Sequence, residues 1–233
     1  MMYAFLRALM RTLTRVYLVG LFNVVGIENI PRTGPLIICA NHSATLDPPL
    51  VPAFVPRDDT WTMAKSEFFR KPYVAFWFRA YQAFPVVRHT ADRAAVRQAL
   101  DLLKAGHVLL MYPEGTRVES GVLGRAEPGA GFLAQKAGCA VVPVGLIGTK
   151  NVLPKGARWP RRNRVTIRFG KPFVLQRKRA DGSRVSHDEA SDAIMVAIAE
   201  LLPPERRGEF SDLESLRQRL AGVTIPSAAG VGD

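Results

Sequence analysis

Cysteine is almost absent: the 233 residues contain two, Cys39 and Cys139. Both sit in apolar runs without metal-ligand spacing, so buried free thiols in a reducing compartment are expected in preference to a disulfide or a zinc site, and no metal ligands are assigned. A thiol nucleophile made of Cys39 and His42 would need one strand to present both to the same cavity, and no motif around Cys39 supports it. No period of 20 to 50 residues repeats, which argues against a solenoid or propeller. Gly121, Gly124, Gly129 and Gly131 compose neither a dinucleotide fingerprint nor a phosphate-binding loop, and Pro172 after Gly170-Lys171 breaks the latter pattern. Zinc-finger and RNP-type motifs are missing and aromatics interleave poorly with the basic residues, so nucleic acid is not an expected partner. In the N-terminal segment the longest charge-free run, Val16 to Ile27, is too short to span a bilayer and contains Gly20 and Gly26.

What is present is positive charge and enough apolar residue to build a core. With 48% hydrophobic residues the chain most simply folds as one domain. Thirty-two Lys and Arg against 20 Asp and Glu leave a net charge of +12, so the partner surface is expected to be anionic. Charge alone does not choose among nucleic acid, anionic lipid and a phosphorylated substrate. The basic residues cluster at Lys155, Arg158, Arg161, Arg162, Arg164 and Arg168, and again at Arg177, Lys178 and Arg179, where solvated loops are the simplest reading.

Residues 1–22 are apolar apart from Arg7, Arg11 and Arg15, whose spacing of four puts them on one stripe of a helix. Phe5, Leu6, Leu9, Leu13, Val16 and Leu18 occupy its other sides. Such a helix can lie in a membrane interface, the arginines meeting anionic headgroups and the apolar residues entering the acyl boundary. A signal peptide fits less well, because the arginines interrupt the apolar region and no small-residue cleavage site follows. A helix packed on the core is the remaining alternative.

Downstream, Leu36–Ala40, Trp61–Ala64, Val108–Tyr112, Ala140–Ile147 and Arg164–Phe169 read as strands, and Asp92–Ala105 and Gly129–Ala137 as helices. Ser186 and Glu189 form a capping box for a helix running through Leu202, ended by Pro203-Pro204. The alternation predicts an α/β fold: a single domain with a mostly parallel or mixed central sheet flanked by helices, over residues 23–210. Residues 211–233 are expected to supply a C-terminal helix and a mobile tail, the tail being the small, weakly patterned stretch from residue 221.

His42 and Asp47, in Asn41-His42-Ser43-Ala44-Thr45-Leu46-Asp47-Pro48-Pro49, follow the first central strand. A histidine whose tautomer is held by a carboxylate can take a proton from a hydroxyl at neutral pH. A separation of five turns about 140° on a regular helix, so the pair can meet only if His42 is in a loop and Asp47 in a turn or the first turn of a helix that folds back. No serine or cysteine nucleophile accompanies them, which implies that the attacking hydroxyl belongs to the substrate. A second strand, Val108–Tyr112, runs into Pro113-Glu114-Gly115-Thr116-Arg117, and the planar fork of an arginine at a strand end suits a phosphate.

Asn41-His42 to Asp47 and Glu114-Gly115-Thr116-Arg117, about seventy residues apart, together resemble the glycerolipid acyltransferase family of 1-acyl-glycerol-3-phosphate acyltransferases. Phe84-Pro85-Val86-Val87-Arg88 and Val142-Pro143-Val144-Gly145-Leu146-Ile147-Gly148-Thr149 agree in order and spacing, and the resemblance covers roughly residues 20 to 210. It implies that His42 is the general base and Asp47 its orienting carboxylate. Arg117 and Lys65 would bind the acceptor's phosphate, with Arg88, Glu114, Gly115 and Thr116 completing the pocket. Two positions depart from the family pattern: Ala44 and Val118 stand where serines are common, which leaves acceptor preference open.

The implied reaction moves an acyl group from a thioester of coenzyme A or acyl carrier protein to the sn-2 hydroxyl of 1-acyl-glycerol-3-phosphate, giving phosphatidic acid, with no cofactor beyond that co-substrate. Backbone amides near Asn41 are the candidates for oxyanion stabilisation. The implied location is the cytoplasmic face of the cell membrane, peripheral or monotopic. Glycerol-3-phosphate or another lysophospholipid is an alternative acceptor, and a non-catalytic protein that binds anionic lipid is an alternative of another class.

Overall fold

Leu36–Ala40 and Val108–Met111 are buried at every position because helices cover both faces of the sheet they form. The computed structural model describes residues 1–87, 90, 92–154 and 157–227. Helix α1 (Met2–Tyr17) precedes edge strand β1 (Phe22–Val25), which leads to central strand β2 (Leu36–Ala40) and then α2 (Asp47–Phe54). Next come β3 (Thr60–Lys65), α3 (Pro72–Ala80), β4 (Ala83–Val86), α4 (Arg93–Lys104) and β5 (Val108–Met111). Helix α5 (Gly129–Ala137), β6 (Ala140–Ile147), the single turn α6 (Thr149–Val152) and β7 (Val165–Phe169) follow. The chain then adds β8 (Phe173–Leu175), α7 (His187–Glu200), α8 (Leu213–Arg219) and β9 (Thr224–Pro226).

The sheet order is β1-β7-β6-β2-β5-β3-β4, with β8 and β9 attached beside β6. Strands β6, β2, β5, β3 and β4 are mutually parallel, and β7 is antiparallel to β6, so the sheet is mixed. Alternation along β2 sorts its residues: Ile37 and Cys39 pack with α4, α5 and α7, whereas Leu36, Ile38 and Ala40 pack with α2 and Leu18. The parallel strands end at one edge. Since Ile38 and Thr62 both pair with Leu110, the continuations of β2, β5 and β3 place Asn41, Pro113 and Lys65 at the same level.

Helix α4 is capped by Asp92, whose carboxylate accepts from Ala95 N, and α7 has the expected capping box, with Ser186 and Glu189 each accepting from the other's backbone N–H. Both cysteines are free and buried, and burial pushes the Cys139 thiol up to about 11. Cys39 faces the core on the α5 and α7 side, where burial also raises its thiol pKa. That removes the thiolate a Cys39–His42 nucleophile would need.

Three expectations need correction. The N-terminal helix stops at Tyr17, Gly20 takes a left-handed turn (φ 73), and Phe22 already pairs with Val165, so a boundary at residue 22 cuts into the sheet. The tail from residue 221 is not wholly mobile: Val223 is fully buried and Thr224–Pro226 pairs with β8; residues 228–233 lie outside the described ones.

The third correction concerns the arginine stripe of α1, which faces the protein. Arg7 is 3% exposed, whereas Phe5, Leu9, Leu13 and Val16 are 65%, 42%, 56% and 70% exposed. Arg7 donates to Pro52 O (2.7 Å) and Val55 O and pairs with Asp58, and Arg11 donates to Ala53 O (2.8 Å). These carbonyls belong to the last turn of α2 and its C-cap, where a helix has no internal donors left and favours cations. Arg15 is exposed and lies over the Phe54 ring. Helical spacing put the arginines on one stripe; the open C-terminus of α2 decides that the stripe turns inward. Among the described residues no helix is long and apolar enough to cross a membrane.

Candidate active site

Strand β2 ends at Ala40, and the Asn41 side chain prolongs its ladder, donating to Leu146 O (3.1 Å) and accepting from Leu146 N (2.7 Å). The loop that follows then turns sharply. Asp47 N donates to Ala44 O, and Asp47 becomes the first residue of α2, with Pro48 and Pro49 in the first turn, where their missing N–H groups cost nothing.

This turn brings the Asp47 carboxylate back over the loop. Its Oδ2 accepts from His42 Nδ1 (3.0 Å), Ser43 N (2.8 Å) and Ala44 N (2.7 Å). Because that oxygen only accepts, the network assigns the imidazole proton to Nδ1 and leaves the Nε2 lone pair for a reaction partner. His42 is 6% exposed and Asp47 0%. Asp47 Oδ1 is buried without a hydrogen-bond partner among the described residues.

Glu114 holds the same loop from the next strand. It accepts from His42 N (2.6 Å) through Oε2 and from Gly124 N (2.8 Å) through Oε1, while Val118 N donates to His42 O (2.8 Å). The histidine is therefore fixed at its backbone by one carboxylate and at its ring by another. Burial raises the Glu114 pKa to about 7, opposed by those two N–H donors and reinforced by the charge of Asp47. The amides of residues 42, 43 and 44 are all committed to carboxylates, so the expectation that amides near Asn41 bind an oxyanion is not met by these three.

The raised pKa has a consequence for stability. An acid with a folded pKa of about 7 against an ordinary value of 4.5 contributes stability that is fully present below the lower value. That contribution is lost as pH rises through the upper one. The stability difference between wild type and Glu114→Gln, from denaturant midpoints, should therefore shrink or reverse between these two pH values. A difference that is constant with pH would mean that Glu114 titrates normally. At any pH the amide leaves one of the two N–H groups facing an NH2, an expected cost of about 1–3 kcal/mol.

Gly115 has φ 66, a left-handed conformation that favours glycine, and an added Cβ there would lie 2.9 Å from Glu127 Cγ and force that side chain to move. Thr116 and Arg117 project beyond it and are exposed, and Arg117 Nη1 donates to Thr45 Oγ1 (2.6 Å), joining the second motif to the first. Lys65, at the end of β3, shares this edge of the sheet but pairs with Glu67 (3.0 Å), both half exposed. No contact described joins Lys65 to His42 or Arg117. Arg88 lies outside the described residues.

Ala44 and Val118, the two departures, act through backbone N–H groups that any residue supplies. Two side chains at the site had no role assigned from sequence. The Tyr112 ring stacks on His42 (centroids 4.2 Å, 28°), and its hydroxyl is buried without a partner among the described residues. Burial, with Asp47 nearby, holds that phenol well above its ordinary pKa. Buried Thr149 lies 3.4 Å from Ser43 Oγ. A tyrosine at the end of a strand beside the glutamate turn is the available signal for the first; the second closes the Val142–Thr149 block, which carried no role for it.

A family model described as Acyltransferase matches residues 21–147, more than half of the chain. Among curated proteins, a 1-acyl-sn-glycerol-3-phosphate acyltransferase of Chlamydomonas reinhardtii is 28% identical over 194 residues, covering 82% of this chain and 55% of the relative. The chloroplastic LPAT1 of Arabidopsis thaliana is 30% identical, with 58% and 38% covered. The chain thus spans about half the length or less of these two relatives. The crystal structure of PlsC, the 1-acyl-sn-glycerophosphate acyltransferase of Thermotoga maritima, superposes with a TM-score of 0.67 at 26% identity, covering 84% of this chain and 78% of that one.

Proposed function

This chain belongs to the acyltransferase family, and on that premise we propose that it acylates the sn-2 hydroxyl of 1-acyl-glycerol-3-phosphate from an acyl thioester, forming phosphatidic acid. The observation that carries the reading is the His42 ring, held through Nδ1 by Asp47 at the sheet edge with Nε2 uncommitted. Relatives named for this reaction support the choice of acceptor.

The acceptor hydroxyl gives its proton to His42 Nε2 as its oxygen attacks the thioester carbonyl. The new C–O bond produces a tetrahedral oxyanion beside an imidazolium that Asp47 stabilises. Collapse breaks the C–S bond, and the thiolate recovers the proton from Nε2 to leave as a thiol. No acyl-enzyme is formed, and the donor, on coenzyme A or acyl carrier protein, is a co-substrate. General-base assistance contributes about 10²–10⁴ in rate, and positioning supplies the rest.

Arg117 and Lys65 bind the acceptor's phosphate in this reading, with Arg88, Glu114, Gly115 and Thr116 shaping the pocket. The guanidinium of Arg117 spends one Nη on Thr45 and keeps donors for a phosphate. Releasing Lys65 from Glu67 costs little, because solvent screens a pair this exposed. The protein sits peripherally on the cytoplasmic face of the membrane, with the outward apolar face of α1 in the acyl boundary.

The test is purified protein with acyl-CoA and a panel of acceptors, read by thiol release and product mass. 1-Acyl-glycerol-3-phosphate should be preferred over glycerol-3-phosphate and over lysophospholipids with larger headgroups. Arg117→Ala should raise KM for phosphorylated acceptors at least about ten-fold, as loss of a charge-assisted bond requires, while leaving acceptor-independent thioester cleavage unchanged. Equal losses with acceptors that have and lack a terminal phosphate would remove the clamp. Absence of thiol release with every acceptor would favour the non-catalytic lipid-binding alternative.

A further inference from the structure

With Arg7 and Arg11 turned into the protein, anionic lipid must be met by other cations if it is met at all. The connection between β6 and β7 carries them. Gly148 (φ 87) starts it so tightly that an added Cβ would lie 1.9 Å from Arg164 O, bringing the first and last residues of the excursion together. Between them, residues 149–164 include Arg158, Arg161, Arg162 and Arg164 but no Asp or Glu. All four arginines are exposed, and no carboxylate among the described residues pairs with them. Trp159, in their midst, is 79% exposed.

This loop is fastened to the C-terminal end of α1. Tyr17 Oη donates to Pro160 O (2.6 Å), and Arg162 Nη2 donates to Val19 O (3.0 Å). Val16 and Val19 at that end of the helix are 70% and 65% exposed. Bare aliphatic side chains, an exposed indole and four cations without a carboxylate partner among the described residues are therefore joined in one region of the surface. Those three chemistries are the ones a bilayer asks for from acyl boundary to anionic headgroup, and tryptophan concentrates where the two meet. Nucleic acid would answer the arginines but not the outward Phe5, Leu9, Leu13 and Val16.

We propose that residues 157–164 are the headgroup-binding half of a membrane-docking surface whose acyl-facing half is the outward face of α1, and that its occupant is an anionic lipid bilayer. The proposal deepens the reading of a membrane-borne acceptor and rests on it, but its test does not require turnover.

The full chain is sedimented with phosphatidylcholine vesicles that contain or lack phosphatidylglycerol, at low and high salt. A triple variant, Arg158→Gln with Arg161→Gln and Arg164→Gln, keeps the Arg162 bond to Val19. It should lose on the order of a hundred-fold in partitioning to anionic vesicles at low salt, and far less at high salt. The control removes equal charge from α4, on the opposite face of the sheet, through Arg93→Gln, Arg97→Gln and Lys104→Gln; it should retain binding. Trp159→Ala should weaken binding several-fold with little salt dependence. Thermal melts matching wild type show that the variants are folded. Equal loss in the triple variant and the α4 control would overturn the proposal in favour of net charge alone. Unchanged vesicle binding with lost binding to duplex DNA would reassign the loop to nucleic acid. If acyl transfer to detergent-dispersed acceptor fails in wild type, the enzymatic reading falls while the vesicle result still decides the docking surface.

Discussion

His42→Ala should lower acyl transfer by at least about 10²–10⁴, the usual worth of a positioned general base, in protein that melts close to wild type. The imidazole bonds Asp47 through Nδ1 and stacks on Tyr112, while the backbone contacts to Glu114 and Val118, which hold the loop, survive the substitution. Chemistry is lost and the loop is kept. Asp47→Asn differs. Its Oδ2 serves three donors at once, so an amide that offers its oxygen to them must bury its NH2 where Oδ1 now stands without a partner. The base survives, but the charge that stabilises an imidazolium does not. The rate should fall strongly, together with a drop in Tm of several degrees from the unpaired NH2. Thiol release and product mass, measured with folded protein, check both variants. A wild-type rate in His42→Ala would end the general-base mechanism.

The central strands and the long amphipathic helices could be read from sequence because their physics is local. Leu36–Ala40 and Ala140–Ile147 are apolar runs bounded by turn residues, and the structure places them as β2 and β6 with those limits. The Ser186–Glu189 box marked α7 for the same reason. Edge elements escaped: Phe22–Val25 exposes alternate residues and was absorbed into the apolar N-terminus, while Phe173–Leu175 and Thr224–Pro226 are too short to show a period. At the site, spacing required His42 to be in a loop and Asp47 in a turn or the first turn of a helix that folds back, and the second of these is the geometry found. What could not be read was non-local, such as the use of both Glu114 oxygens by Gly124 and His42, or the ring of Tyr112 against His42.

The orientation of α1 is the plainest instance, and it yields the second large expected effect. Arg7→Gln should destabilise the fold by about 2–4 kcal/mol while leaving attachment to anionic vesicles unchanged. The guanidinium is buried and donates to two carbonyls at the end of α2, and a glutamine cannot reach both or supply the charge. Its ion pair with Asp58 adds less, since that carboxylate is 76% exposed. Loosening the C-terminus of α2 matters at its other end, because the first residue of the same short helix is Asp47. Turnover should therefore fall beyond the loss of folded protein, and 1-acyl-glycerol-3-phosphate at saturation should not restore it. Arg15→Gln, at an exposed position on the same stripe, should cost less than about 1 kcal/mol. Denaturant midpoints and vesicle co-sedimentation on the two variants separate the cases. Wild-type stability with weakened vesicle binding in Arg7→Gln would return the stripe to the lipid surface; a large stability loss with intact binding places it where the α2 carbonyls require it.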